Sequence, residues 1–273
     1  MKQTVYTEKE ITTLKHLAEY QYLNIPQFLT LGADKHRSNL QTTLSRLVKG
    51  KMIDVITFGT TTEKKLPYVY CLLPKGKTTL KDELYYPQES IRMPKSRNSY
   101  FKHQYHHREG ILNFQIQFNK WIKQTEAVST VFFNRDFDFT GREPKNKINL
   151  NEQQFIIPDL VSMIDIRGRK VLFFGEISMG FDSKLILEKM LNHILVLGTG
   201  AAQKKYQHER KGHLITWVFH EEALKRNVMK QMQKDKRFTN VEKLFLMKTT
   251  KELEDFFHNW SIFTGESVNF LPF

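Results

Sequence analysis

Cysteine is almost missing from this chain. A single residue, Cys71, stands among 273, so no internal disulfide can form and a reducing cytoplasm is the expected setting. The opening MKQTVYTEKE lacks an apolar signal region, and no apolar run approaches the ~20 residues that cross a bilayer, so no membrane partner is expected. Acidic residues are also few. The 29 Asp and Glu against 42 Lys and Arg leave a formal net charge of +13 and a pI near 9.6. That balance favours polyanionic partners, nucleic acid first, and says nothing about fold. With 40% hydrophobic and 12% aromatic residues the chain is not disordered, and its length suffices for two modest domains with real cores.

The chemistry is concentrated in Ile156 to Met179, IIPDLVSMIDIRGRKVLFFGEISM. A strand over Phe155 to Ile166 and a second through the apolar run Val171 to Phe174 are joined by the polar turn Arg167-Gly168-Arg169-Lys170. Asp159 follows Pro158 near the start of the first strand, and Glu176 arrives at the far end of the second. In an antiparallel pair these two ends are neighbours. Both carboxylates can therefore meet at one edge of the sheet, as a hard divalent cation, Mg2+ or Mn2+, requires of its oxygen ligands. Without context the same two acids read as solvated strand ends.

The context is a regular alternation. Arg108 to Ile122 is an amphipathic helix with Ile111, Leu112, Ile116, Phe118 and Trp121 at near-helical spacing. A strand over Val128 to Phe139 precedes the two described above. A helix from Ser183 to about Leu197, a strand Leu214 to His220, a helix Glu221 to Lys234 and a strand Val241 to Met247 follow.

The first eighty-odd residues read as a separate unit. Thr7 and Glu10 form a capping box before Ile11, Leu14, Leu17 and Ala18. A short helix lies around Pro26 to Leu31, and a third runs from about Arg37 to Lys49 with Leu40, Leu44, Leu47 and Val48 inward. Its polar face carries Arg37, Gln41, Thr42, Ser45, Arg46 and Lys49. Strands over Met52 to Phe58 and Leu66 to Leu73 flank a polar hairpin containing Lys64 and Lys65. Three helices followed by a basic hairpin resemble a winged helix-turn-helix, whose third helix enters the major groove while the wing touches the backbone. The same fold also serves protein contacts or dimerisation. The expected organisation is a winged helix over 1–85, a basic linker over 86–100 that can track phosphates, and a catalytic-type domain over 101–273.

The order helix, three strands, helix, strand, with Asp159 on the second strand and Glu176 on the third, resembles the PD-(D/E)xK restriction-endonuclease-like core over roughly residues 100 to 250. The fold class expected is thus α/β: a winged helix-turn-helix followed by an αβββαβ core with a mixed sheet. The resemblance implies that Asp159 and Glu176 bind metal, that a glutamate on the first helix can join them, and that a lysine two residues after the second acid activates or positions water. Glu109 is the candidate for that glutamate; alternatively it favours the helix N-terminus. The lysine position holds Ser178 instead, so the cation has to come from the next helix, from Lys184 or Lys189. GEISMG and LEKMLNH resemble the plasmid replication-relaxation and MOBC-type relaxase proteins, in which an acidic strand end is followed by a helical lysine. That match selects Lys189, which otherwise lies on a solvated helix face. It also aligns His107 with that family's histidine at the start of the core helix, in a structural or DNA-phosphate role.

His103 and His107 share a helical face, but no third transition-metal ligand is evident. Tyr105 and Tyr206 could act as nucleophiles only beside a base or metal, which their neighbours in sequence do not identify. The loop Gly200 to His213 is basic and reads either as solvated or as a second DNA contact. The resemblance implies a protein that binds double-stranded plasmid DNA at an origin-like site and nicks or relaxes it with Mg2+ or Mn2+, alongside relaxosome or replication proteins and compatibly with a homodimer. The alternatives are a non-catalytic replication initiator or relaxosome accessory protein with a degenerate core, for which Ser178 speaks, and a winged-helix regulator.

Overall fold

A computed structural model of the chain describes residues 6–58, 66–94, 104–209 and 212–271. The chain is a mixed α/β protein that divides into two compact units, Met1–Tyr105 and His106–Phe273.

In the first unit, α1 (Glu8–Tyr20) starts at Thr7, whose side chain and that of Glu10 cap each other's backbone. After β1 (Tyr22–Asn24), Asn24 and Gln27 repeat the device for α2 (Ile25–Thr30), with Pro26 in its first turn. α3 (Arg37–Lys49) buries Leu40, Thr43, Leu44 and Leu47 and ends at Gly50. β2 (Ile53–Ile56) and β3 (Val69–Leu72) pair antiparallel, and β1 closes the sheet in the order β1-β3-β2. β1 was invisible in the sequence because three buried residues carry no alternation. α4 (Pro74–Thr78) runs into a π-helical turn, Thr79–Glu83. The hairpin 59–65, with Lys64 and Lys65, and the end of the linker, 95–100, lie outside the described residues.

The second unit is built on one sheet. α5 (Tyr105–Gln124) leads to β4 (Val128–Arg135), the small hairpins β5 (Phe139–Thr140) with β6 (Glu143–Pro144) and β7 (Ile148–Asn149) with β8 (Phe155–Ile156), then β9 (Leu160–Ile166) and β10 (Arg169–Ser178). α6 (Ser183–Thr199), α7 (Ala201–Tyr206), β11 (Leu214–Phe219), α8 (Glu222–Lys234), β12 (Phe245–Thr249), β13 (Trp260–Ser261) and β14 (Ser267–Val268) complete it. The strand order is β14-β13-β12-β11-β10-β9-β4. β10, β11 and β12 are parallel, and the remaining pairs are antiparallel.

In the second unit three expected strands are cut back by a turn or a break. The one from Val128 stops at Arg135, where Asp138 turns back to accept the Arg135 backbone N–H at 2.9 Å. The one from Phe155 breaks at Pro158-Asp159, since proline cannot donate to the ladder. The last begins only at Phe245, because Glu242–Leu244 is a 3-10 turn.

The β9–β10 hairpin fixes the register on which the rest depends. Its two-residue turn has Arg167 at φ 51° and Gly168 at φ 81°, the pair of positive values that matches strand twist. From there Arg169 pairs with Ile166 and, at the far end, Gly175 pairs with Leu160. One face of β10 meets α5, with Phe173 and Phe118 ring centroids 5.4 Å apart. On the opposite face α6 and α8 pack Ile186, Met190, Val228 and Met232 with Ile215, Trp217, Phe245 and Met247.

Gly110 lets α5 lie close to the end of β10, since a Cβ there would stand 2.7 Å from Ile177 Cγ2. Helix preference alone favours alanine over glycine by about 1 kcal/mol, while forcing a β-branched neighbour aside costs about 1–3 kcal/mol. Gly110→Ala is therefore expected to lower the unfolding free energy by about 1–2 kcal/mol in urea titration. A rise of about 1 kcal/mol would show that α5 is not pinned at this point.

Candidate functional site

Because Gly175 pairs with Leu160, the next residue on each strand, Glu176 and Asp159, falls at the same sheet edge. Asp159 is 5% exposed and Glu176 1%, so each charge needs specific partners. Asp159 Oδ2 accepts the Ile177 backbone N–H at 2.7 Å and faces His107 Nε2 at 2.9 Å. Asp159 Oδ1 accepts from the Lys189 ammonium at 3.1 Å, and the same ammonium reaches Glu176 Oε2. Glu176 Oε1 and His193 Nε2, 2.6 Å apart, share one proton.

Two helices deliver these groups from opposite sides of the sheet. His107 lies in the first turn of α5. Lys189 and His193, four residues apart on α6, stand one above the other on a single helical ridge. Asp182 caps α6 by accepting from the backbone N–H groups of Lys184 and Leu185, which fixes where the ridge begins. Of the two lysines expected, the structure brings Lys189 to the carboxylates, and Lys184 is exposed in the first turn. Ser178, two residues after Glu176, accepts the Trp217 indole N–H at 2.8 Å.

The charges are strongly interdependent. Burial would raise the Asp159 carboxyl, but the charges of Lys189 and His107 outweigh it and hold the group far below its ordinary value. Burial raises Glu176, and the neighbouring Asp159 charge raises it further. Lys189, despite burial, is pushed up by Glu176 and Asp159. His107 is likewise raised, its burial outweighed by Asp159. His193 is lowered to about 3 by burial and by the Lys189 charge, so its ring is neutral.

A hard divalent ion fits the oxygen donors present. Asp159 Oδ1 and Glu176 Oε2 already share one cation, and buried Glu176 Oε2 has no hydrogen bond beyond that ion pair. Mg2+ keeps several waters and needs only one or two carboxylates. A larger protein cage is absent: among the described residues no group of three or more His, Cys, Asp or Glu side chains could hold a metal. Glu109 does not extend the pair in the way anticipated. It lies two residues beyond His107, about 200° around the helix, and has His106 Nδ1 at 3.6 Å.

The candidate DNA-contacting residues Arg37, Gln41, Thr42, Arg46 and Lys49 are all exposed on α3. Arg46 also pairs with buried Glu10 at 3.4 Å, and Thr42 bonds back to the Ser38 carbonyl at 3.1 Å. Tyr105 is buried, with its hydroxyl accepting from Asn24 Nδ2 at 3.2 Å. Tyr206 packs on Phe132 and is raised by burial, the opposite of what a nucleophile requires.

Three groups escaped the sequence reading. His193 could have been found from its spacing to Lys189. Asp136 could not, because an acid after a strand is commonplace; its backbone N–H donates to the Asp159 carbonyl, and burial lifts its carboxyl to about 6 against the pull of Arg108. His213 packs tilted against Phe174, centroids 3.9 Å apart, with both ring nitrogens buried and unpartnered. Comparison of the chain with protein-family models, curated proteins and solved structures returned no match.

Burial, with smaller effects from His193 and His208, lowers His213 to about 3. Its ordinary value is about 6.5, so the unfolded chain takes up a proton first as pH falls. The neutral ring is at no disadvantage above about 6.5, and stability is lost progressively from there down to about 3. His213→Phe should therefore be more stable than wild type by about 2 kcal/mol at pH 5 beyond any difference at pH 8. Parallel stability–pH curves from urea titration would refute this.

Proposed function

We propose that this protein is a metal-dependent DNA-nicking protein of the plasmid relaxase kind, acting in mobilisation or replication. The observation that carries the reading is the buried pair Asp159 and Glu176 bridged by the Lys189 ammonium at a sheet edge. Two carboxylates this close and this buried are costly to the fold, and groups kept at such a cost mark functional sites. The order of elements in the second unit supports a PD-(D/E)xK-like core. The three helices and small antiparallel sheet of the first support a winged helix, with α3 as the reading helix. The likeness of GEISMG and LEKMLNH to replication-relaxation proteins belongs to the same proposal.

In this mechanism Asp159 and Glu176 would hold Mg2+ or Mn2+, which would supply hydroxide and offset charge on the attacked phosphate. Lys189 binds a phosphate oxygen as a point charge. His107 keeps Asp159 ionised and oriented, and His193 holds the other oxygen of Glu176. The excess of Lys and Arg draws the polyanion in.

Supercoiled plasmid incubated with and without Mg2+ or Mn2+, then resolved with and without protease, tests the reading. Asp159→Ala and Glu176→Ala should each abolish metal-dependent nicking while DNA is still bound in a gel shift, since neither removes a phosphate contact. Nicking at the wild-type rate by either folded variant would refute the assignment. For the first unit, Arg46→Ala should weaken binding and relax discrimination at one base position by about 1–3 kcal/mol if it reaches a base edge. Binding by residues 106–273 as tight as by the whole chain would remove α3 from recognition.

A second reading has its own support. Lys189 neutralises the pair without any metal, and Ser178 stands where a nuclease lysine belongs. A non-catalytic DNA-binding accessory protein would look the same. It would bind plasmid DNA and leave it supercoiled.

A further inference from the structure

Lys189 and a divalent ion require the same two oxygens. Asp159 Oδ2 is taken by Ile177 N at 2.7 Å and His107 at 2.9 Å. Glu176 Oε1 is taken by His193, itself 1% exposed, at 2.6 Å. What remains, Asp159 Oδ1 and Glu176 Oε2, is turned to the ammonium. The fixed donors come from backbone and packed imidazoles. The ammonium comes on a flexible stem whose side chain is 42% exposed.

We propose that Lys189 is a tethered competitor of the divalent ion, so that the metal binds tightly only when a DNA phosphate draws the ammonium off the carboxylate pair. This deepens the nicking reading and rests on it. Two cations cannot both sit against Oδ1 and Oε2 without strong mutual repulsion at a site removed from water. The ammonium has an alternative, because its stem is long and flexible and its side chain is 42% exposed. A phosphodiester arriving at the edge offers it an anionic acceptor, and release of the pair leaves two buried carboxylates in need of a cation. By linkage, DNA and metal then raise each other's affinity by the same factor. Such a device confines metal activation to the DNA-bound protein.

The test is Mn2+ binding to the full-length protein in the absence of DNA, followed by calorimetry. Lys189→Met and Lys189→Gln should bind Mn2+ at least about tenfold more tightly than wild type, because removing the competing charge frees both oxygens. Mn2+ should also raise their thermal midpoints by more than it raises that of wild type. Equal or weaker Mn2+ binding by the folded variants overturns the proposal. Should both variants fail to fold, wild type is titrated with and without a short duplex oligonucleotide, binding of Mn2+ to the duplex alone being subtracted. Affinity higher by at least about tenfold with the duplex is expected, and no increase overturns the proposal. Tighter binding by the variants with no nicking by wild type removes the enzyme reading and leaves the competition standing. Mn2+ binding by no form of the protein removes both.

Discussion

The Lys189 ammonium between two buried carboxylates is the interaction on which the second unit depends. Asp159 and Glu176 are nearly excluded from water, and two like charges so placed repel and resist ionising. One positive charge shared between them changes the sign of that balance. Asp159 is held ionised and Lys189 is held protonated, each by the other. Deleting the cation would leave a pair that no hydrophobic contact nearby can compensate. The rest of the cluster follows from the same requirement: His107 reinforces Asp159, His193 occupies the second oxygen of Glu176, and Arg108 faces half-buried Asp136 at 3.8 Å.

Backbone geometry makes this charge arrangement reachable. A tight turn at Arg167-Gly168 sets the β9–β10 register, and a slip by one residue would send Glu176 to the face of α5 instead of α6. Glu176 and Ser178 share the α6 face by strand alternation. Lys189 and His193 share one ridge of α6 by helical spacing. Gly110 removes the side chain that would hold α5, and with it His107, away from the edge. Each residue of the cluster is thus placed by a rule that operates far from it.

Much of this was legible in the sequence, and the reasons differ by residue. The caps at Thr7 and Gly50 bound α1 and α3 as anticipated, because capping is local chemistry. Asp159 and Glu176 could be paired from the sequence because hairpin geometry ties a strand start to the next strand's end. Asp136, Arg108 and His213 could not be anticipated, since their burial comes from contacts between elements distant in the chain. Glu109 stayed open between joining the carboxylates and favouring the helix N-terminus, because a helix start places acids on every side and only the structure says which side faces the sheet. The short strands between residues 139 and 156 and at the C-terminus have two residues each. That is too few for any periodicity to register.

Ser178 departs from the proposed nuclease pattern, and in the structure its hydroxyl has a physical task of its own. Its hydroxyl accepts the indole N–H of Trp217, a residue 1% exposed in the core between β11 and α6. A lysine at this position could not accept that hydrogen bond, and a buried indole N–H left without an acceptor costs about 1–3 kcal/mol. Moving the cation to α6 keeps the Trp217 bond and still brings a positive charge to the carboxylates. It also changes what the cation can do. A lysine on the strand would start from the backbone beside the acids, whereas Lys189 reaches them from the helix packed over the sheet. In the proposed site, serine at 178 and lysine at 189 thus put the cation on the helix and leave the strand position to the Trp217 bond.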